Sequence, residues 1–387
     1  MPAFSTDEPT VQPAAHRGER WLAPFEPMST SLTSPFTVGD VEIPSRIALA
    51  PMAGVSVQAF RRQERRFGAG LVCSEMVSCS GLPHRNEKTF GYLHIASDES
   101  PLAVQIFGSD PALMADAACI VEAAGADILD LNFGWPVPKI TKAGAGATVV
   151  EEPGRACEIV SAAVEAVDIP VMVKMRLGLS EGSRSALDVG PRVVAAGASA
   201  LTLHPRSAAQ MYTGQADHSL TAELVQLVGV PVIASGDITS RAHAQQVIDE
   251  TGSAAVMVGR VAQGNPWALA EIAGDSIGLP SGEDVVVELV LFMCKTVREL
   301  GPSVLLDSSG SSTAGTWSMG SSRVSSSTRW CASQLQPRPR PVRSRQLRVR
   351  RKPSRSARPR LAQPTSGRSS CRSRSAAAAG CSGRRGW

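Results

Sequence analysis

The sequence predicts an α/β fold, a (β/α)8 TIM barrel. Eight short apolar runs recur between residues 46 and 260, and Ala-rich amphipathic segments separate several of them. Continuous runs of Val, Ile and Leu are typical of strands buried on both faces, which belong to parallel sheets. Eight such repeats favour a closed barrel. A doubly wound sheet is the alternative, but it normally has fewer strands and a G-x-G-x-x-G turn, which this sequence lacks.

Each repeat places a predicted strand before a loop or helix. The predicted strands are residues 46–52, 71–76, 102–107, 128–133, 171–176, 200–206, 232–238 and 255–260. The predicted helices include residues 110–124, 153–166, 186–196 and 240–250. The run RRQERRF (61–67) predicts a polar helix face.

The two ends of the chain differ from this pattern. We expect residues 1–30 to be a disordered extension, residues 31–275 to form the barrel, and residues 282–302 to be the remnant of a helical domain. Residues 303–387 are rich in Ser, Arg and Pro, and we expect disorder there because they offer little apolar surface to bury.

Charge separates the tail from the rest. The net charge is +4, yet residues 308–387 contain 18 of the 39 basic residues and no acidic residue. Such asymmetry is typical of a nucleic-acid-binding arm. A GC-rich gene translated out of frame would give the same composition, so both interpretations stay open.

Composition argues against several classes of protein. No apolar run is long enough for a membrane span, and the first 30 residues lack the apolar core of a secretory signal. The eight cysteines form no C-x-x-C pair, which argues against a metal site and fits the reducing cytoplasm. No protein partner is evident.

Polar and glycine residues follow nearly every predicted strand. In a barrel the carboxyl ends of the strands meet at one mouth, where active sites lie. Gly259 and Arg260 resemble a phosphate cradle, although an ordinary Gly-rich turn is the alternative. Lys174 ends a buried strand and needs an anionic partner, either a reduced flavin or an acid such as Glu75. Lys139 and Lys142 favour a polyanionic substrate.

Eight motifs occur in one order over residues 33–273: APMAG, SEM, VQIFG, LNFGWPVPK, VKMR, LHPRSAAQMYTG, SGDI and VGRVAQGNPW. Together they resemble the bacterial tRNA-dihydrouridine synthases, in particular the B-type subgroup. The resemblance implies an FMN-bound barrel that reduces the C5–C6 bond of a uridine in tRNA with electrons from NADPH. Other flavin barrel oxidoreductases acting on a free pyrimidine (dihydroorotate-dehydrogenase-like) and a non-catalytic flavin- or RNA-binding protein are the alternatives.

The resemblance also implies a role for each matching residue. Asn132 and Lys139 would orient the uridine. The residues that would hold the flavin are Pro51, Met52 and Ala53 along its ring, Gln105 and Lys174 at its pyrimidine edge with His204 nearby, and Ser235, Gly236, Asp237, Gly259 and Arg260 at its ribityl and phosphate end.

One catalytic position departs from the family. Trp135 stands where the family frame N-x-G-C-P-x-x-K has its proton-donating cysteine. An indole N–H does not donate a proton to carbon at neutral pH, whereas a thiol does. We therefore predict that the reductase activity of this chain is impaired.

Overall fold

The computed structural model describes residues 31–83, 87–275 and 280–300, and both predicted ends, 1–30 and 303–387, lie outside these ranges. The strands are β1 (Phe36–Val38), β2 (Val41–Ile43), β3 (Ile47–Leu49), β4 (Val72–Cys73), β5 (Val77–Ser78), β6 (Leu102–Phe107), β7 (Ile128–Phe133), β8 (Val171–Arg176), β9 (Ala200–His204), β10 (Val232–Ser235) and β11 (Ala255–Val258). The α-helices are α1 (Gln58–Arg66), α2 (Glu87–Gly91), α3 (Pro111–Ala123), α4 (Pro138–Thr141), α5 (Pro153–Ala166), α6 (Ser185–Ala195), α7 (Ser219–Leu227), α8 (Arg241–Thr251), α9 (Ala268–Ala273) and α10 (Gly282–Leu300).

Eight parallel strands form the barrel in the order β3-β11-β10-β9-β8-β7-β6-β4. A parallel bridge between Ala48 and Leu71 closes it. Every predicted strand is present, so the predicted (β/α)8 barrel is confirmed.

The second barrel strand is shorter than predicted. Its register pairs with β6 are Val72 and Cys73, and the chain pairs with β6 again at Val77–Ser78. The reason is local: the backbone N–H of Gln105 donates to the Ser74 hydroxyl at 3.0 Å rather than to a backbone carbonyl. The ladder is interrupted there, and the chain bends at the barrel mouth.

Small and large apolar residues together form an interior cluster of the barrel, in which Met172 and Ile233 accompany several alanines. Ala48, Ala103, Ala200 and Ala255 are fully buried in an interior apolar cluster. The antiparallel hairpin β1–β2 contributes Val38 and Ile43 to the same cluster, so it closes the amino-terminal end of the barrel. The barrel therefore opens only at the carboxyl ends of its strands.

Helix α1 carries the predicted polar residues, but several of them lie inside the protein. Arg61, Gln63 and Glu64 are all buried. Arg61 forms a 2.6 Å ion pair with Glu99, and Gln63 donates to Glu288 of α10 at 3.1 Å. Residues distant in sequence thus provide the partners for the buried polar side chains of α1.

Helix α10 begins where the sequence predicts a helix, and it packs against α1. The Glu299 carboxylate accepts hydrogen bonds from the backbone N–H groups of Gln58 and Ala59, at 3.0 and 2.9 Å. These are the first N–H groups of α1, which lacks a side-chain cap at Val57. Glu299 therefore caps α1 from another helix.

We expect Glu299→Ala to lower the free energy of unfolding by about 1–2 kcal/mol, since it removes a charged cap. Chemical denaturation of the full chain measures the change. The matched control is Glu165→Ala, an exposed carboxylate on α5, which should stay within about 0.5 kcal/mol. Equal losses in the two variants would contradict the capping role.

Within the described ranges, no helix combines the length and the apolarity that a membrane span requires.

Candidate active site

A cavity of about 810 Å³ opens at the carboxyl ends of the barrel strands. The sequence-predicted residues that line it are Pro51, Met52, Ala53, Asn132, Trp135, Lys174, His204, Ser235, Gly236, Asp237, Gly259 and Arg260. They come from the carboxyl ends of β7, β8, β9 and β10 and from the segments that follow β3, β7, β10 and β11. Parallel strands bring them together because all their carboxyl ends point to one face.

Two predicted residues do not line the cavity. Gln105 is fully buried and lies behind Asn132, to which it is hydrogen-bonded at 2.7 Å. Lys139 is exposed on the short helix α4, which begins at Pro138. The structure therefore places Gln105 beneath the cavity and Lys139 outside it.

One end of the cavity is organised by Asp237. Its Oδ2 accepts from Arg206 at 2.6 Å and from the backbone N–H of Ala216 at 2.8 Å, and its Oδ1 accepts from Arg260 at 3.1 Å. Burial alone would raise the pKa of the Asp237 carboxyl, but these hydrogen bonds and the two arginine charges lower it below its usual value. Asp237 is therefore ionised and fixes the position of Arg260.

Gly236 lies so close to Ala216 and His204 that a side chain would not fit. Its φ is +117°, and a Cβ there would lie 2.8 Å from the Ala216 Cβ and 3.0 Å from the His204 ring. Both the backbone conformation and the space exclude a side chain. The loop after β10 therefore requires glycine at this position, and Gly236 itself lines the cavity.

His204 is a neutral ring whose tautomer can be assigned. Burial lowers its pKa far below the usual range, and the charges of Lys174, Arg176, Arg206 and Arg260 lower it further. Its Nε2 lies 3.2 Å from an Arg206 N–H. Because a guanidinium only donates, Nε2 accepts and the ring proton is on Nδ1.

Sequence reasoning assigned no role to Arg206, which lies two residues beyond His204. Its side chain is almost fully buried. It donates to Asp237 and to the backbone carbonyls of Thr213 and Gly214. A buried arginine needs such partners. The signal in the sequence was an arginine placed directly after an apolar predicted strand.

Arg176 and Tyr212 also line the cavity, and the sequence assignment of site residues missed both. Arg176 donates to the backbone carbonyls of Ser207 and Met211, at 3.0 and 2.8 Å. The Tyr212 ring lies between two guanidiniums, 5.4 Å from that of Arg176 and 4.8 Å from that of Arg260. These cation–π contacts hold an aromatic wall at the mouth.

Trp135 lies on a well-fixed loop. Its backbone N–H donates to Asn132 Oδ1 at 2.9 Å, and its carbonyl accepts from Ala147 at 3.1 Å. Its indole packs edge-on against Phe107, with ring centroids 5.4 Å apart and an interplanar angle of 85°. The indole therefore forms part of the cavity wall.

No thiol reaches that wall in the part of the chain that the structure describes. Its free cysteines are Cys73, Cys79, Cys119, Cys157 and Cys294, and none of them lines the cavity. Burial raises the pKa of both Cys73 and Cys79.

The charges of Lys174, at the floor of the cavity, and of Asp130, which is fully buried, influence each other's pKa. Burial raises the pKa of Asp130 to about 7, although Gln105 and Lys174 oppose the rise. Burial lowers the pKa of Lys174 to about 8, together with the charge of Arg176. The carboxylate that stabilises the charge of Lys174 is Asp130, while Glu75 accepts from the backbone N–H of Gly54 at 2.7 Å.

The net charge of the site is positive. Lys174, Arg176, Arg206 and Arg260 face the two carboxylates of Asp130 and Asp237, and Asp130 titrates near neutral pH. Such a cavity favours an anionic ligand. Among the described residues, no group of three or more His, Cys, Asp or Glu side chains could hold a metal ion.

Fold and site together define a (β/α)8 barrel with a positively charged cavity at the carboxyl ends of its strands. A family profile described as dihydrouridine synthase matches residues 48–300. A probable tRNA-dihydrouridine synthase of Rhodobacter capsulatus is 43% identical over 247 residues, which are 62% of this chain and 75% of that protein. tRNA-dihydrouridine synthase B of Pseudomonas aeruginosa is 41% identical over 236 residues, 61% of this chain and 71% of its own. The chain belongs to the dihydrouridine synthase family, as its motifs predict.

Solved structures of more distant proteins share the fold. Morphinone reductase superposes with a TM-score of 0.50 at 14% identity and covers 67% of this chain and 94% of its own. Histamine dehydrogenase from Rhizobium sp. 4-9 superposes with a TM-score of 0.52 at 13% identity, over 69% of this chain and 51% of its own. At these identities the likeness shows the barrel alone.

Proposed function

We propose that this barrel binds FMN, takes electrons from NADPH, and is built to reduce a uridine of tRNA to 5,6-dihydrouridine in the cytoplasm. The observation that carries the proposal is the cavity itself, which has Lys174 at its floor and Arg260 at one end. Membership of the dihydrouridine synthase family supports the substrate class. The exposed Lys139 and Lys142 beside the Trp135 loop suit a polyanionic substrate.

The residues present fit a flavin mononucleotide. Lys174 offers a cation to the electron-rich pyrimidine edge of a flavin, and His204 offers an Nδ1–H. Gly259, Arg260 and the backbone at Gly236 suit a single phosphate. Pro51, Met52 and Ala53 provide a largely apolar wall for a ring. When bound, a flavin supplies the hydride for reduction of a pyrimidine C5–C6 bond.

The proposed role of Gln105 is indirect, since its amide is bonded to Asn132 and Asp130. Asn132 is likewise engaged, with Gln105 and with the loop backbone. Both therefore shape the floor and the loop. Lys139 would need a movement of α4 to reach a base in the cavity, because it is exposed outside the lining.

The chain as written lacks the proton donor at position 135. Within the cavity lining, Asp237 is ionised and His204 holds its only proton on Nδ1. A non-catalytic flavin- or RNA-binding protein is therefore the second candidate function, favoured by the Trp135 indole packed on Phe107.

Protein purified from cells is expected to carry FMN rather than FAD, because the cavity offers one cationic phosphate end and the sequence has no dinucleotide fingerprint. Extraction of the chromophore and mass identification test this. Arg260→Ala should lower the FMN content, while Arg241→Ala, outside the cavity, should not. Recovery of FAD, or of colourless protein that stays colourless with added FMN, would refute the cofactor assignment.

A further inference from the structure

A chain of hydrogen bonds links the barrel interior to the Trp135 loop. Gln105 Nε2 donates to Asp130 Oδ2 at 2.6 Å, and Asn132 Nδ2 donates to Gln105 Oε1 at 2.7 Å. Asn132 Oδ1 then accepts from the backbone N–H groups of Gly134 and Trp135, at 3.0 and 2.9 Å. Gln105 and Asp130 are register partners on β6 and β7, so the sheet itself sets their separation.

The groups at the two ends of this chain of hydrogen bonds each fix the orientation of the neighbouring side-chain amide, and the two requirements agree. Above its pKa of about 7 the Asp130 carboxylate only accepts, so Gln105 turns its NH2 group to Asp130 and its oxygen to Asn132. Backbone N–H groups only donate, so Gly134 and Trp135 require the Asn132 oxygen. Each side-chain amide can rotate by half a turn, which exchanges its NH2 donor and its oxygen acceptor. Asp130 determines which of these two groups points towards the loop.

Burial makes the wrong orientation costly. Gln105 and Asp130 have no exposed surface, and Asn132 is 7% exposed. A reversed amide would oppose donor to donor in this dry environment, and an unsatisfied buried group costs about 1–3 kcal/mol. The orientation therefore depends on the acceptor at position 130 rather than on solvent.

We propose that Asp130 is a positioning residue: through Gln105 and Asn132 it holds the Gly134–Trp135 backbone, and with it position 135, at the cavity wall. The proposal rests on the proposed function in one respect only: it treats that loop as the side of the cavity on which the substrate binds. The polarity of the hydrogen bonds is independent of any ligand.

A polarity swap tests the proposal. Asn132→Asp keeps an acceptor for the loop but places carboxyl groups on both sides of Gln105. When both are ionised, above the pKa of Asp130, which is about 7 in the parent chain, one carboxylate opposes the Gln105 oxygen, so the variants are compared above that pH. Adding Asp130→Asn removes the conflict: the Gln105 amide reverses, donates to the new carboxylate at position 132, and accepts from the new amide at position 130. Asp130→Asn alone should preserve the original polarity, because its side-chain oxygen still accepts.

The measurement is amide hydrogen exchange of Gly134 and Trp135 in the full chain, followed by NMR without flavin or RNA. Asn132→Asp should accelerate exchange about 10-fold or more, which corresponds to roughly one lost buried hydrogen bond. The double variant and Asp130→Asn should both remain within about threefold of the parent chain. Equal acceleration in Asn132→Asp and the double variant, or no acceleration in either, would overturn the proposal.

A second pair of variants tests whether a general loss of packing could produce the same acceleration. Asp130→Leu removes the acceptor at similar volume and should accelerate exchange at Gly134 and Trp135. Thr202→Val removes a buried hydroxyl without a hydrogen-bond partner in the described structure, and it should not. Similar acceleration in both would assign the effect to packing. Because no ligand is present, failure of the proposed function would leave these exchange results unchanged.

Discussion

Replacing Trp135 with cysteine is expected to raise the rate of dihydrouridine formation by about 10²–10⁴-fold, the usual contribution of a positioned general acid. The backbone at this position is already fixed by Asn132 and Ala147. A thiol there would face the cavity that the indole now lines. It could donate the proton to C5 of the uridine as hydride reaches C6.

The measurement is a single turnover from pre-reduced flavin with excess tRNA, using full-length chains that share the same C-terminal residues. Trp135→Ala is the matched control, because it enlarges the cavity without supplying an acid. A rate gain in the cysteine variant alone would show acid catalysis, whereas equal gains in both would show that the indole acts only by obstruction. Equal rates in all three chains would mean that the acid is assigned to the wrong residue.

Flavin reduction by NADPH should be similar in these three chains. Hydride arrival at the flavin does not require a thiol at position 135, so the effect should be confined to the second half-reaction. Removal of the indole also breaks its contact with Phe107, which should cost about 0.5–1.5 kcal/mol of stability beyond the loss of buried area. Assays are therefore best run well below the unfolding temperature.

The architecture was predictable from the sequence because its determinants are local. All eight apolar runs that predict strands are barrel strands, and their carboxyl ends carry the cavity residues. A parallel barrel leaves few other ways to arrange such repeats. The exception is residues 71–76, where one hydroxyl, that of Ser74, replaces a backbone acceptor and shortens the strand.

The depth of each polar residue was not predictable in the same way. Gln105 and Lys174 both lie near strand ends, yet Gln105 is fully enclosed and Lys174 reaches the cavity. Depth depends on strand stagger and on partners such as Asp130, which sequence spacing does not report. The burial of polar residues on α1 was not predictable for a related reason, since Glu288, which accepts from Gln63, lies more than 200 residues away along the chain.

Replacing Lys174 with methionine is expected to weaken binding of reduced flavin by about 10- to 100-fold at pH 7, because a hydrogen bond to a charged group contributes roughly 1.5–3 kcal/mol. Methionine keeps much of the side-chain volume and removes the cation at the cavity floor. Oxidised flavin, which carries less charge at its pyrimidine edge, should be affected less. The midpoint potential of the bound flavin should accordingly become more negative.

The pH dependence follows from two pKa values. In the flavin-free protein the pKa of Lys174 is about 8, and an anionic flavin edge would raise it on binding. The contribution of Lys174 to the affinity for reduced flavin is then fully present below pH 8 and is lost as the pH rises through the pKa of the complex. Ionisation of Asp130, whose pKa is about 7, acts in the same direction at lower pH because it adds negative charge nearby.

Titrations of reduced flavin between pH 6 and pH 10 in anaerobic buffer separate these two groups. The parent chain should lose affinity in two steps, and Lys174→Met should lack the upper step while remaining weak throughout. Asp130→Asn should lack the lower step and keep the upper one, since Lys174 still titrates. If Lys174→Met kept the parent pH profile and affinity, another residue would have to supply the cation that holds the flavin edge. Arg176, which also lines the cavity, would then be the next candidate.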